Sequence, residues 1–207
     1  MGRTRWPGLA LAAVSTAGLL ALTACSGGTG AVARGSTFEF VSPGGETRLF
    51  YDPPDSRGTA PDLNGESLQE RGSQIRLSGY AGKVVVINIW GSWCGPCRAE
   101  TPELEKVFEQ THASGVQFLG IDVRDDRAAA SDFVRDRYVT YPSIYDPSGR
   151  TLLALNGYPR SVVPSTIVLD RRHRVAAIFL TPLIASDLLP VVQRVAAEPA
   201  NLPGRPA

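Results

Sequence analysis

Cys94 and Cys97 stand three residues apart in Trp93-Cys94-Gly95-Pro96-Cys97, a spacing at which two sulfurs can pass between dithiol and disulfide. The motif follows a run of apolar residues and opens a stretch of helical character, so the pair is expected at a helix N-terminus. Unpaired backbone N–H groups and the helix dipole favour negative charge there, which lowers a thiol pKa and supplies thiolate. Cys94 is therefore the expected nucleophile. Cys97, one turn later on the same face, is placed to attack the resulting mixed disulfide and release product. Two other readings of the pair exist. Half a zinc site would want further Cys or His ligands, and besides Cys25 the chain offers only His112 and His173, neither at ligand spacing. A structural staple would close so short a loop that little unfolded-state entropy is removed. Both histidines read more simply as surface residues near element ends.

The elements that must hold the pair follow from the apolar pattern. Residues 84–90 (VVVINIW) are almost wholly apolar and β-branched, as expected of a central strand covered on both faces. Residues 98–112 carry Leu104, Val107 and Phe108 at helix spacing, with a kink expected at Pro102. A second buried strand is predicted at 116–123, and a helix at 128–138 with Phe133 and Val134 inward. Asp146-Pro147-Ser148-Gly149 signals a turn. Strands at 166–169 and 175–180, joined by Arg171-Arg172-His173-Arg174, predict an antiparallel hairpin with a solvated basic turn, and 183–197 predicts a closing amphipathic helix. Upstream, 75–77 is a short strand candidate, and 38–41 and 47–50 flank Ser42-Pro43-Gly44-Gly45 as an expected hairpin. The sum is an α/β domain with a central mixed β-sheet, helices on both faces and an N-terminal β-hairpin extension.

Composition fits one such domain. The apolar fraction is 43%, the charged fraction 20%, and 21 basic residues balance 20 acidic ones over 207 residues. Nothing in that balance attracts nucleic acid; the basic cluster at 171–174 is too narrow for a binding face. Arg3 and Arg5 precede an apolar run at 9–22 that is short for a membrane span and reads as a targeting segment. It ends in Leu22-Thr23-Ala24-Cys25, which resembles the bacterial lipoprotein box; in that family the cysteine is lipidated and becomes the new N-terminus. An ordinary signal peptide and an uncleaved anchor are the alternatives. Residues 1–24 are thus expected to be a lipoprotein signal, 25–36 a lipidated cysteine and Gly/Ser tether, 37–198 the folded domain and 199–207 a tail. With Cys25 lipidated, the mature domain keeps a single close thiol pair, which in an oxidising compartment points to redox chemistry more than to stapling.

The segment KVVVINIWGSWCGPCRAETP at 83–102 resembles the signature of the TlpA/ResA-type thioredoxin-like proteins, extracytoplasmic disulfide reductases of bacteria. The likeness continues through Ala60-Pro61-Asp62-Leu63, 77–83, Tyr141-Pro142, 146–149 and Val163-Pro164-Ser165-Thr166, and covers most of 60–197. It implies a thioredoxin-like fold and three site residues. Pro164 matches the family's cis-proline, whose loop lies beside the cysteines and pairs with a substrate strand. Glu100 matches a buried glutamate near the dithiol, although spacing alone would leave it exposed on a helix. Asn88 stands where cytoplasmic thioredoxins carry a buried Asp, leaving Glu100 as the proton acceptor. Residues 155–163 (LNGYPRSVV) follow the family's approach to the cis-proline only loosely.

The resemblance implies a reductase acting on protein disulfides, with apocytochrome c haem-site cysteines as substrate, a membrane thiol electron donor, and a lipid anchor on the extracytoplasmic face. An oxidase that forms disulfides in secreted proteins is the alternative. A non-enzymatic lipoprotein binding a partner or copper is a third reading, weakened by the intact cysteine pair and by Met1 being the single methionine. A peroxidase lacks its Thr/Pro-rich loop here. Neither cofactor nor metal is expected.

Overall fold

The computed structural model describes residues 1–2, 37–41 and 44–199. Most of the expected signal segment, Cys25, the tether and nearly all of the tail therefore lie outside the described residues. Strand β4 (Val84–Trp90) is buried along its whole length, as its unbroken apolar run dictates. It sits in the middle of a six-stranded sheet. On one side it pairs in parallel with β5 (Val116–Val123), which pairs in parallel with β6 (Ser143–Asp146). On the other side it pairs antiparallel with β7 (Ser165–Leu169), then β8 (Val175–Phe179) and the edge strand β1 (Arg48–Phe50). The order is β1-β8-β7-β4-β5-β6. A separate small hairpin joins β2 (Asn64–Glu66) to β3 (Gln74–Arg76).

Three helices complete the domain: α1 (Gly95–Thr111), α2 (Arg127–Asp136) and α3 (Ala185–Ala196). α1 runs as one helix through Pro102. All three lie on one face of the sheet, not on both. Leu104 and Val107 of α1 and Leu188, Val192 and Val195 of α3 pack on Val84, Val86 and Phe118, while Ala130 and Phe133 of α2 pack on Trp90. The cause is topological. The β4-α1-β5 and β5-α2-β6 crossovers step in the same direction across the sheet, and right-handed crossovers made in one direction place their helices on the same face.

The opposite face, formed by Val85, Ile87, Ile89, Leu119, Ile121 and Ile167, is covered among the described residues without any α-helix. Phe38, Phe40, Leu49, Tyr51, Leu63, Leu77, Leu152, Leu155 and Tyr158, from irregular segments, short 3-10 turns and the edge strand, close it. This is why the expected hairpin of 38–41 with 47–50 does not form. The Phe38 amide bonds to Thr59 O and the Phe40 amide to Asn156 O, both rings are buried in the core, and 48–50 pairs with β8 instead. The fully buried Arg57 side chain holds these layers together: it donates to Tyr51 O, Asp52, Asp170 and Glu198. The basic turn between β7 and β8 is accordingly not wholly solvated. Asp170 accepts from the Arg172 and Arg174 amides and from Arg174 Nε, and Arg171 bonds to Gly82 O and Ala196 O.

Candidate active site

β4 delivers the chain to the top of the sheet at Trp90, and residues 91–93 turn it into α1. Asp125, in the turn after β5, fixes that bend by accepting from both the amide and the hydroxyl of Ser92, and Trp93 Nε1 donates to Val123 O. Cys94 is the N-cap of α1, and its sulfur accepts the Cys97 amide at 3.2 Å. An oxygen does this at an ordinary N-cap. Here a sulfur takes the role, so the groups that would stabilise a thiolate are already aimed at Cys94. The two cysteines form a disulfide with Cα atoms 5.3 Å apart, packed with Trp90, Ala130, Phe133 and the half-buried Val163. The Val163-Pro164 peptide is cis, and Val163 joins this loop to the cysteine cluster. Tyr158, fully buried, donates to Ser165 Oγ, which donates to Val162 O, fixing the loop from behind.

Glu100 lies one turn beyond Cys97 on α1 and is only 2% exposed. Its carboxyl accepts from Asn88 Nδ2 at 2.9 Å and from the Leu183 amide at 3.0 Å; Asn88 also donates to Thr166 Oγ1 across β7. Burial pushes the Glu100 pKa up to about 7, the two hydrogen bonds opposing it in part. The group can therefore hold or release a proton at neutral pH, within a helical turn of Cys97. Spacing alone put Glu100 on the surface; the family resemblance put it inside, and inside is where it lies.

A second buried acid escaped the sequence reading. Asp122 is 0% exposed, and its carboxyl meets no partner other than the carboxyl of Asp125. Burial, reinforced by the nearby Asp125, raises its pKa to about 8, so it is largely neutral at pH 7. It stands opposite Trp90 in the β4–β5 register. Trp90 Nε1 and Ser143 Oγ, also buried and unpartnered, crowd the α-carbon of Gly120, where a Cβ would collide with both. The available signal was an ionisable residue inside a largely apolar strand. Of the two histidines, His112 is exposed at the end of α1 and His173 bonds to Tyr80 O. Among the described residues no three His, Cys, Asp or Glu side chains converge as a metal site, and no helix is long and apolar enough to cross a membrane.

This arrangement can do disulfide exchange, and known proteins with similar sequences and folds point the same way. The Redoxin family profile matches residues 56–192. The thiol-disulfide oxidoreductase ResA of Geobacillus kaustophilus is 31% identical over 130 residues, which are 63% of this chain and 72% of that protein. A secreted thiol-disulfide isomerase from Corynebacterium glutamicum has a crystal structure similar to this one at TM-score 0.76 and 46% identity, covering 79% of this chain and 100% of that one. A DsbF homologue from Corynebacterium diphtheriae follows at TM-score 0.72 and 46% identity, over 76% of this chain and 99% of that one.

Proposed function

Because this chain belongs to the Redoxin family and is a thioredoxin-like thiol-disulfide oxidoreductase, we propose that it works at the extracytoplasmic face of the membrane, held there by a lipid on Cys25, and reduces protein disulfides. The Cys94 thiolate attacks one sulfur of the substrate disulfide. That S–S bond breaks, a mixed disulfide with Cys94 forms, and the departing substrate sulfur takes a proton. Cys97 then gives up its proton, with Glu100 as acceptor, and attacks Cys94. The second substrate thiol leaves, and the enzyme is left as the Cys94–Cys97 disulfide, oxidised by two electrons. A membrane thiol donor returns those electrons. Val163, the residue before Pro164, packs with the cysteines, and the backbone of this loop would pair with an extended substrate segment.

The observation that carries this reading is Cys94 as the helix N-cap with a neighbouring buried Glu100 able to exchange a proton near pH 7. The reductive direction is supported by the Gly95-Pro96 dipeptide and by Asn88 with Glu100, which resemble the reducing ResA-type proteins, and apocytochrome c haem-site cysteines are the proposed substrate. The names of the two corynebacterial proteins, an isomerase and a DsbF homologue, favour a second reading in which the pair makes or reshuffles disulfides in secreted proteins. The midpoint potential of the purified domain separates them. Equilibration with glutathione should give a value toward the thioredoxin end of the scale, near about −270 mV, whereas a value near the DsbA end, about −120 mV, assigns the oxidising role.

A further inference from the structure

At the end of β5 lies a cavity of about 420 Å³ lined by Val123, Arg124, Ser148, Gly149, Tyr158, Arg160 and their neighbours. Two elements of the site form its walls. Arg124 follows β5 directly, and its guanidinium lies 4.8 Å over the ring of the half-exposed Trp93, the residue before Cys94. Arg160 and Ser161 belong to the loop that leads to Pro164.

Among the described residues neither Arg124 nor Arg160 takes part in a salt bridge. The acids of the adjoining segments keep their charge but are held in place by neutral donors. Asp125 accepts from Ser92 and from the Asp126 amide, and the buried Asp146 accepts from the Arg150 and Thr151 amides and from Ser148 Oγ. Arg124 is moreover held at φ +55°, a left-handed conformation that a long side chain adopts at an energetic cost and that tends to mark functional sites. Two arginines outside any salt bridge line one concavity, and a guanidinium suits a carboxylate, which it can bind through two parallel N–H···O bonds.

We propose that this cavity is a specificity site that receives a Glu or Asp side chain of the polypeptide substrate, a few residues from the cysteine attacked by Cys94. The assignment rests on the thiol-exchange reading above and adds the substrate chemistry to it. Recognition of this kind selects among protein disulfides by flanking charge and leaves the sulfur chemistry unaltered.

The test uses the reduced domain in single-turnover reactions with two synthetic peptides. Each contains one disulfide, and they differ only in carrying Glu or Gln at the positions flanking the attacked cysteine. The Glu peptide should react about tenfold faster at low ionic strength, and Arg160→Gln should bring the ratio close to one. Arg71→Gln removes an exposed positive charge from the β2–β3 turn and should keep the ratio. Equal rates for the two peptides in the wild type, or an unchanged ratio in Arg160→Gln, overturns the specificity site. So does a ratio that falls equally in Arg71→Gln, because that would be long-range steering. If the reduced wild type left both peptides oxidised, the thiol-exchange reading itself would fail, an outcome separate from the loss of selectivity.

Discussion

Replacing Glu100 by Gln sets two opposing effects against each other, and the structure says how they change with pH. Glu100 titrates near pH 7 in the fold against 4.5 in the unfolded chain. For a carboxyl raised in this way, stability is fully present below the unfolded pKa and is lost as pH rises toward the folded one, because ionisation is easier in the unfolded chain. At about 1.4 kcal/mol per pH unit, the loss between pH 5 and pH 8 comes to about 2.5 kcal/mol. Gln cannot ionise and escapes it. Against that, Asn88 Nδ2 and the Leu183 amide both donate to the Glu100 carboxyl. A Gln amide offers only one oxygen, so one buried donor loses its acceptor, at a cost of about 1–3 kcal/mol at every pH. The variant should therefore be no more stable than wild type at pH 5 and should gain on it by about 2.5 kcal/mol by pH 8. Urea unfolding of the disulfide form at a series of pH values measures this, and the oxidised cysteines add no titration of their own. Two curves that stay parallel from pH 5 to pH 8 would refute the perturbed carboxyl and with it the proton-acceptor role. Turnover should respond too: Glu100→Gln is expected to slow disulfide reduction and flatten its dependence on pH near 7.

Asp122→Asn should raise stability by more than about 2 kcal/mol at pH 8 relative to its effect near pH 4, since the wild-type carboxyl titrates from 3.8 in the unfolded chain to about 8 in the fold. Thermal melts at the two pH values would reveal this, and an equal effect at both would contradict it. Gly120→Ala is expected to lose about 1–3 kcal/mol, because its Cβ meets Ser143 Oγ and Trp90 Nε1 in a packed layer; wild-type stability would mean that the two side chains simply move aside. Cys97→Ala should accumulate substrate mixed disulfides on Cys94 on non-reducing gels, and faster alkylation of Cys97 than of Cys94 in the reduced wild type would reverse the assigned roles. Cys25→Ala should release the protein from the membrane fraction, and a wild-type protein without an acyl group on Cys25 would remove the anchor.

The local code of this chain was enough for its chemistry and for much of its framework. A run of β-branched residues leading into Cys-Gly-Pro-Cys says strand, turn, helix, and with it Cys94 at a helix N-cap, because each of those steps depends on neighbours within a few residues. The hairpin of β7 and β8 and the closing helix were legible for the same reason. Only the assembled fold decided which face each helix covers, since handedness acts on the order of strands in space and not on any one segment. It also moved 48–50 from an expected hairpin partner to the edge of the sheet, where β8 supplies the hydrogen bonds while Phe38 and Phe40 fill the core. Burial of Glu100 and Asp122 was of the same kind. An acid on a helix or in a strand carries no mark of what will be laid over it, and the shift of its pKa is made by water removed by residues distant in sequence. The pairing of Arg124 with Arg160 across one cavity follows from chain crossings 36 residues apart, a juxtaposition that no periodicity in the sequence records.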